Sequence, residues 1–124
     1  MTINREELAW AAGLYDGEGC TTYKSSTNRQ PVMAISQNNP FVLERFKQAV
    51  GVGEVYGPYV RKGKPNTRPI WNWQSGGFET TQATIAMIWQ WLSPQKREQA
   101  VKVFGQYRGR KDMRFKQNRQ MVAA

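Results

Sequence analysis

Residues 10–19 read Trp10-Ala11-Ala12-Gly13-Leu14-Tyr15-Asp16-Gly17-Glu18-Gly19 (WAAGLYDGEG). They continue an Ala- and Leu-rich run from residue 5, so the pattern predicts a helix over 5–17 that Gly17 and Gly19 break. Ala9, Gly13 and Gly17 recur every fourth residue and share one face of it. Glycine inside a helix costs about 1 kcal/mol relative to alanine. Close packing of a second helix against these small side chains is the natural offset. Asp16 and Glu18 follow at the helix end, where the dipole is negative. Two carboxylates set against that field suggest a compensating hard cation with oxygen ligands, such as Mg²⁺. The same residues also fit a helix that stops at Gly17 ahead of a solvated acidic loop.

Downstream, residues 20–27 (CTTYKSST) favour a strand, 28–31 a turn and 32–38 (VMAISQN) a second strand, which makes a hairpin. Asn39 and Pro40 form an N-cap followed by a first-turn proline. Phe41, Val42, Phe46, Ala49 and Val50 then lie on one side of a helix that Gly51 ends. Residues 53–60 and 68–75 read as a second hairpin around the basic loop RKGKPNT. After Gly76 and Gly77 comes an apolar helix over 79–92, with Ile85, Ile88, Trp89 and Leu92. Ser93-Pro94 opens a last helix to about 107, with Ala100, Val103, Phe104 and Tyr107 inward. The reading is one domain over 1–107 and a basic C-terminal tail over 108–124. The fold class is α+β, with two hairpins joined in one antiparallel sheet, helices on one face and the other face open.

Composition narrows the partner. The 124 residues carry 18 Lys and Arg against 9 Asp and Glu, a formal +9 that favours nucleic acid or an acidic membrane surface. The absence of histidine excludes a His general base and His-ligated zinc. The single cysteine, Cys20, excludes an internal disulfide, fits a reducing compartment and reads as a small buried strand residue. No apolar run reaches the roughly 18 residues of a membrane span, and the N-terminus lacks a signal-peptide pattern. The expectation is an intracellular protein without a membrane partner.

Residues 11–19, AAGLYDGEG, resemble the LAGLIDADG motif that names a family of homing endonucleases. Ala12, Gly13, Leu14, Asp16 and Gly19 match it letter for letter, and Glu18 stands where the second acid belongs. The resemblance covers about residues 5–107. It implies an αββαββα fold with a saddle-shaped antiparallel sheet and an extra C-terminal helix. It also implies metal-dependent hydrolysis of phosphodiester bonds in a long pseudo-palindromic double-stranded DNA site. In that family the second acid of the motif binds metal at the scissile phosphates, so Glu18 is implied as ligand, with a main-chain carbonyl from Gly17. The cofactor would be Mg²⁺ or Mn²⁺, with Ca²⁺ as a non-catalytic substitute. Gln37 matches a polar residue that orders water near the metal, and Lys96 a basic residue near the cleaved phosphate. Glu18, Gln37 and Lys96 are thus the implied catalytic set; a strand-end amide and a solvated lysine are the plainer readings of the last two. One motif must serve two DNA strands, which implies a C₂ homodimer. Its interface would hold Ala9, Ala12, Gly13, Asp16 and Gly17.

The open sheet face would lie in the major groove, whose edge pattern distinguishes all base pairs. Alternation puts Thr22, Lys24 and Ser26 on one face of the first strand. It puts Arg68, Asn72 and Gln74 on one face of the last, with Trp71 and Trp73 turned toward the helices. Arg29, Arg61, Lys62 and Lys64 lie in loops at the strand ends, suited to phosphates or outer bases. Three other readings share these residues: a non-cleaving DNA-binding regulator, an RNA maturase that the basic tail would suit, and an unrelated basic module. An intron-encoded and a free-standing member of the family would look the same in this sequence.

Overall fold

The computed structural model describes residues 3–24, 27, 29–64 and 66–123, with side chains described through Lys111. Its elements are α1 (Arg5–Glu18), β1 (Gly19–Tyr23), β2 (Pro31–Gln37), α2 (Pro40–Val50), β3 (Glu54–Tyr59), β4 (Ile70–Gln74), α3 (Phe78–Ile88), a 3₁₀ turn (Trp89–Trp91) and α4 (Pro94–Ala123). The strands form one antiparallel sheet in the order β1-β2-β4-β3. This is the expected α+β arrangement, with the two hairpins joined through β2 and β4.

Local chemistry sets the element ends. Asn4 Oδ1 accepts the N–H of Glu7 at 3.1 Å and starts α1. Asn39 Oδ1 accepts the N–H of Phe41 at 3.0 Å, and Pro40 sits in the first turn of α2. Gly51 ends α2 at φ 79°, a left-handed conformation that glycine adopts without steric cost. α1 runs one residue further than the glycines predict. Gly17 lies inside the helix, and the N–H of Gly19 still reaches the carbonyl of Tyr15 before the chain turns extended. Gly19 is required by space, since a Cβ there would overlap the Tyr15 ring.

Other boundaries also shift. β1 ends at Tyr23 rather than 27, and Thr27 ties Lys24 to Gln30 beyond it. Its hydroxyl lies 2.8 Å from the carbonyls of both Lys24 and Gln30 and accepts the N–H of Lys24. α4 continues to Ala123, past the end near 107 that apolar spacing predicts. The expected helix over 79–92 divides into α3 and the 3₁₀ turn.

The core lies between the helices and one sheet face. Leu8, Ala11, Ala12 and Tyr15 of α1 meet Leu43, Phe46 and Val50 of α2, Met33 and Ile35 of β2, and Trp73 of β4. Ile85 and Ile88 of α3 and Ala100 of α4 complete it. Trp73 packs edge-on against Phe46 at 4.6 Å, and its indole N–H reaches the Val52 carbonyl at 3.1 Å. Each such fully buried apolar side chain contributes roughly 1.5–3 kcal/mol. Trp71, Trp89 and Trp91 are partly buried against this core, so the tryptophans belong to packing. Phe41 is the exception to the predicted apolar face of α2: it is 80% exposed, and Leu43 faces inward instead.

A buried hydroxyl chain stitches α3 to β2. Ser75 Oγ accepts the N–H of Met33 at 2.9 Å and donates to Thr81 Oγ1 at 2.6 Å. Thr81 donates in turn to the Pro31 carbonyl at 2.9 Å. Each hydroxyl of this relay is matched, as buried polar groups require. No helix among the described residues is long and apolar enough to cross a membrane.

Candidate functional site

Among the described residues, the sheet's second face carries no helix. Thr21 points into the protein, where its hydroxyl meets the Tyr15 phenol, so Cys20 and Thr22 point outward. Burial pushes the Tyr15 phenol above its ordinary pKa and keeps that pair neutral. Cys20 is therefore half-buried on the open face, not enclosed in the core. On β4 the buried Trp73 faces inward, and Asn72 and Gln74 face outward with Ser36 and Ala34 of β2 opposite them. Tyr56 and Glu54 extend the two rows onto β3.

Of the residues expected on this face, Thr22, Asn72 and Gln74 lie on strands there. Lys24 is exposed but belongs to the Thr27-centred loop, and Arg68 is exposed ahead of β4, so neither shares a strand face as alternation predicted. Ser26 lies outside the described residues. Arg29, Arg61, Lys62 and Lys64 are exposed in the loops.

At one end of the open face, Glu18, Ser36, Gln37, Asn38, Arg61, Thr67, Arg68 and Ile70 surround a shallow depression of about 440 Å³. A carboxylate, two amides and two guanidiniums thus share one open depression. Glu18 is exposed and makes no salt bridge among the described residues. Gly17 lies in the last turn of α1, where main-chain carbonyls have no partner within the helix. The sequence reading missed Ser36, Tyr56 and Tyr59. Alternation with the inward Ile35 and Val55 is the signal that finds Ser36 and Tyr56.

The two acids of the motif have different surroundings. Asp16 Oδ1 accepts the N–H of Ser93 at 2.8 Å. That bond, then the Ser93 hydroxyl and the nearby Lys96 charge, hold the Asp16 carboxyl below the ordinary carboxylate range. Asp16 is thus committed within the chain to the start of α4. Lys96 is half-buried and donates from Nζ to the Gly19 carbonyl, placing its ammonium at the C-terminal end of α1. It does not line the depression that Glu18 and Gln37 share.

The small-residue face is partly open. Gly13 and Gly17 are exposed, and a Cβ at either would meet nothing within 4 Å. Ala9 is half-buried beside them. Ala12 is fully buried in the chain's own core, so it packs inward instead of facing a partner as the resemblance implied. Neither glycine of the helix thus has a steric reason among the described residues.

No family model matches the sequence, and no curated protein matches it. Solved structures do. The homing endonuclease I-CvuI in complex with its target superposes at TM-score 0.61 with 20% identity, over 85% of this chain and 69% of that one. The group I intron-encoded homing endonuclease I-CeuI, complexed with DNA, gives 0.65 with 14% identity over 98% and 63%. The LAGLIDADG meganuclease I-AabMI, bound to uncleaved DNA, gives 0.61 with 17% identity over 87% of this chain and 38% of its own length. The open sheet, the helix order and the motif helix leading into β1 agree with these likenesses, and the chain has the fold of the LAGLIDADG homing endonucleases.

Proposed function

We propose that the protein is a homing-type endonuclease that hydrolyses phosphodiester bonds in a pseudo-palindromic double-stranded DNA site as a homodimer. The observation that carries this reading is the placement of Glu18. It stands free at the end of α1 in a depression with Gln37, Arg61 and Arg68, beside an open polar sheet face. The net charge of +9 suits a polyanionic partner.

Glu18 and the Gly17 carbonyl are hard oxygen donors of the kind Mg²⁺ or Mn²⁺ takes, with Ca²⁺ as a non-catalytic substitute. Among the described residues no three His, Cys, Asp or Glu cluster, so one chain offers part of a coordination sphere. Phosphate oxygens and a second copy's Glu18 would supply the remainder. A bound cation supplies charge neutralisation on the phosphate and an activated water. Arg61 and Arg68 hold the DNA backbone, Gln37 orients water by its amide, and Lys96 counters the negative end of the α1 dipole. The open glycines provide the surface on which two copies of α1 meet.

The test is cleavage of a randomised duplex library with Mg²⁺, sequencing the cut ends, with Glu18→Gln in parallel. The expected result is a pseudo-palindromic site cut by the parent and bound but uncut by the variant. Enrichment of a bound sequence without cutting by the parent would replace this reading with that of a DNA-binding regulator. Absence of both would direct the search to RNA.

A further inference from the structure

Ser36 and Asn72 stand opposite each other in the β2–β4 register on the open face. Ser36 Oγ donates to Asn72 Oδ1 at 2.6 Å. An exposed asparagine amide can turn over, presenting either end to a ligand. Here the bond turns the oxygen toward β2 and the NH₂ away from it, toward β3, where Tyr56 faces Asn72 and is 46% exposed. Gln74, one row further along β4, is a contrast. It is exposed between Ala34, which has no polar side-chain atom, and Glu54, which pairs with Lys47 at 3.3 Å.

The difference matters in the major groove. Adenine presents an acceptor at N7 and a donor at N6, so an asparagine reads it with oxygen and nitrogen together. Guanine presents acceptors at N7 and O6, and matches a side chain that shows only donors. Ser36 takes one lone pair of Oδ1 and holds the oxygen toward β2, which fixes the amide with its NH₂ donors turned to the rest of the row. Ser36, its proton given to Asn72, keeps lone pairs that complement the N4 amino group of cytosine. The row also has a defined place. Glu18 immediately precedes Gly19, which pairs with Ile35, and Glu18 and Ser36 line the same depression.

We propose that Ser36 fixes the Asn72 amide so that it offers its donors to the groove, selecting a G·C pair in the part of the site nearest Glu18. The proposal rests on the DNA reading above and adds to it the device that fixes one base. Gln74, left free to turn, reads its own position with a broader preference.

The experiment is selection of bound duplexes from a randomised library by the parent protein, Ser36→Ala and Ser36→Thr. The parent enriches guanine at one position of each half-site. Ser36→Ala frees Oδ1 and moves that position toward adenine, on the order of tenfold relative to the parent. Ser36→Thr keeps the hydroxyl and the guanine. Ser36 is exposed, so the variants keep the parent's melting transition. A parent that selects a site which Ser36→Ala leaves unchanged at every position overturns the proposal and spares the DNA reading. A parent that selects no duplex overturns the DNA reading and the proposal with it.

Discussion

Asp16 Oδ1 and the main-chain N–H of Ser93 lie 2.8 Å apart, a bond across 77 residues that joins the last turn of α1 to the residue before α4. Lys96, three residues on, has its own N–H accepted by Ser93 Oγ at 3.3 Å and its ammonium on the Gly19 carbonyl. Both ends of Glu18's short neighbourhood, Asp16 and Gly19, are therefore held from the start of α4. The site's carboxylate is free, and the backbone that presents it is not.

This latch has a pH signature. The native Asp16 carboxyl sits below its ordinary range because it accepts the Ser93 N–H. A depressed native pKa contributes stability that is full above the unfolded value, about 3.9, and is lost as pH falls through the native one. Thermal melts on acidification should show a steeper fall for the parent than for Asp16→Asn. Parallel curves would mean that the latch adds nothing to stability.

Gly13 and Gly17 bear on assembly. Among the described residues nothing meets a Cβ at either position. Gly13→Ala should therefore stabilise the isolated chain by about 1 kcal/mol through helix propensity alone. If two copies of α1 meet on this face as proposed, the parent should sediment as a dimer and Gly13→Leu should fold and sediment as a monomer at the same concentration. Equal masses for parent and Leu variant would remove this face from the interface.

Arg61 and Arg68 are exposed at the rim of the Glu18 depression. If each meets a phosphate, Arg61→Ala and Arg68→Ala should weaken binding similarly across DNA sequences. Each should flatten the slope of log affinity against log salt by about 0.9 for every phosphate left without its guanidinium, summed over both half-sites. Anisotropy titrations over a salt series read this directly. An unchanged slope would place the guanidinium off the backbone.

Thr81 tests the fold and not the site. Thr81→Val removes the donor to the Pro31 carbonyl and the acceptor for Ser75, all in the interior. The expected loss is roughly 1–3 kcal/mol in denaturant unfolding, the cost of buried polar groups left without partners. A smaller loss would show that the chain of hydroxyls relaxes around the gap.

Features that depend on a few neighbouring residues were legible in the sequence. Asn39-Pro40, Gly51 and Ser93-Pro94 mark element ends because caps and left-handed turns are local backbone chemistry. Alternation in IWNWQ assigned Asn72 and Gln74 to one face and Trp73 to the other, because successive side chains on a strand point to opposite sides. The motif located Glu18. Features that depend on residues brought together from afar emerged only in three dimensions. Packing carried α1 through Gly17, turned Ala12 inward and left Phe41 in solvent, since each outcome depends on which surfaces meet. It separated Asp16 from Glu18 by giving Asp16 a partner on the far side of the chain. It also placed Ser36 against Asn72, a pairing set by strand order and register, which no stretch of sequence around either residue encodes.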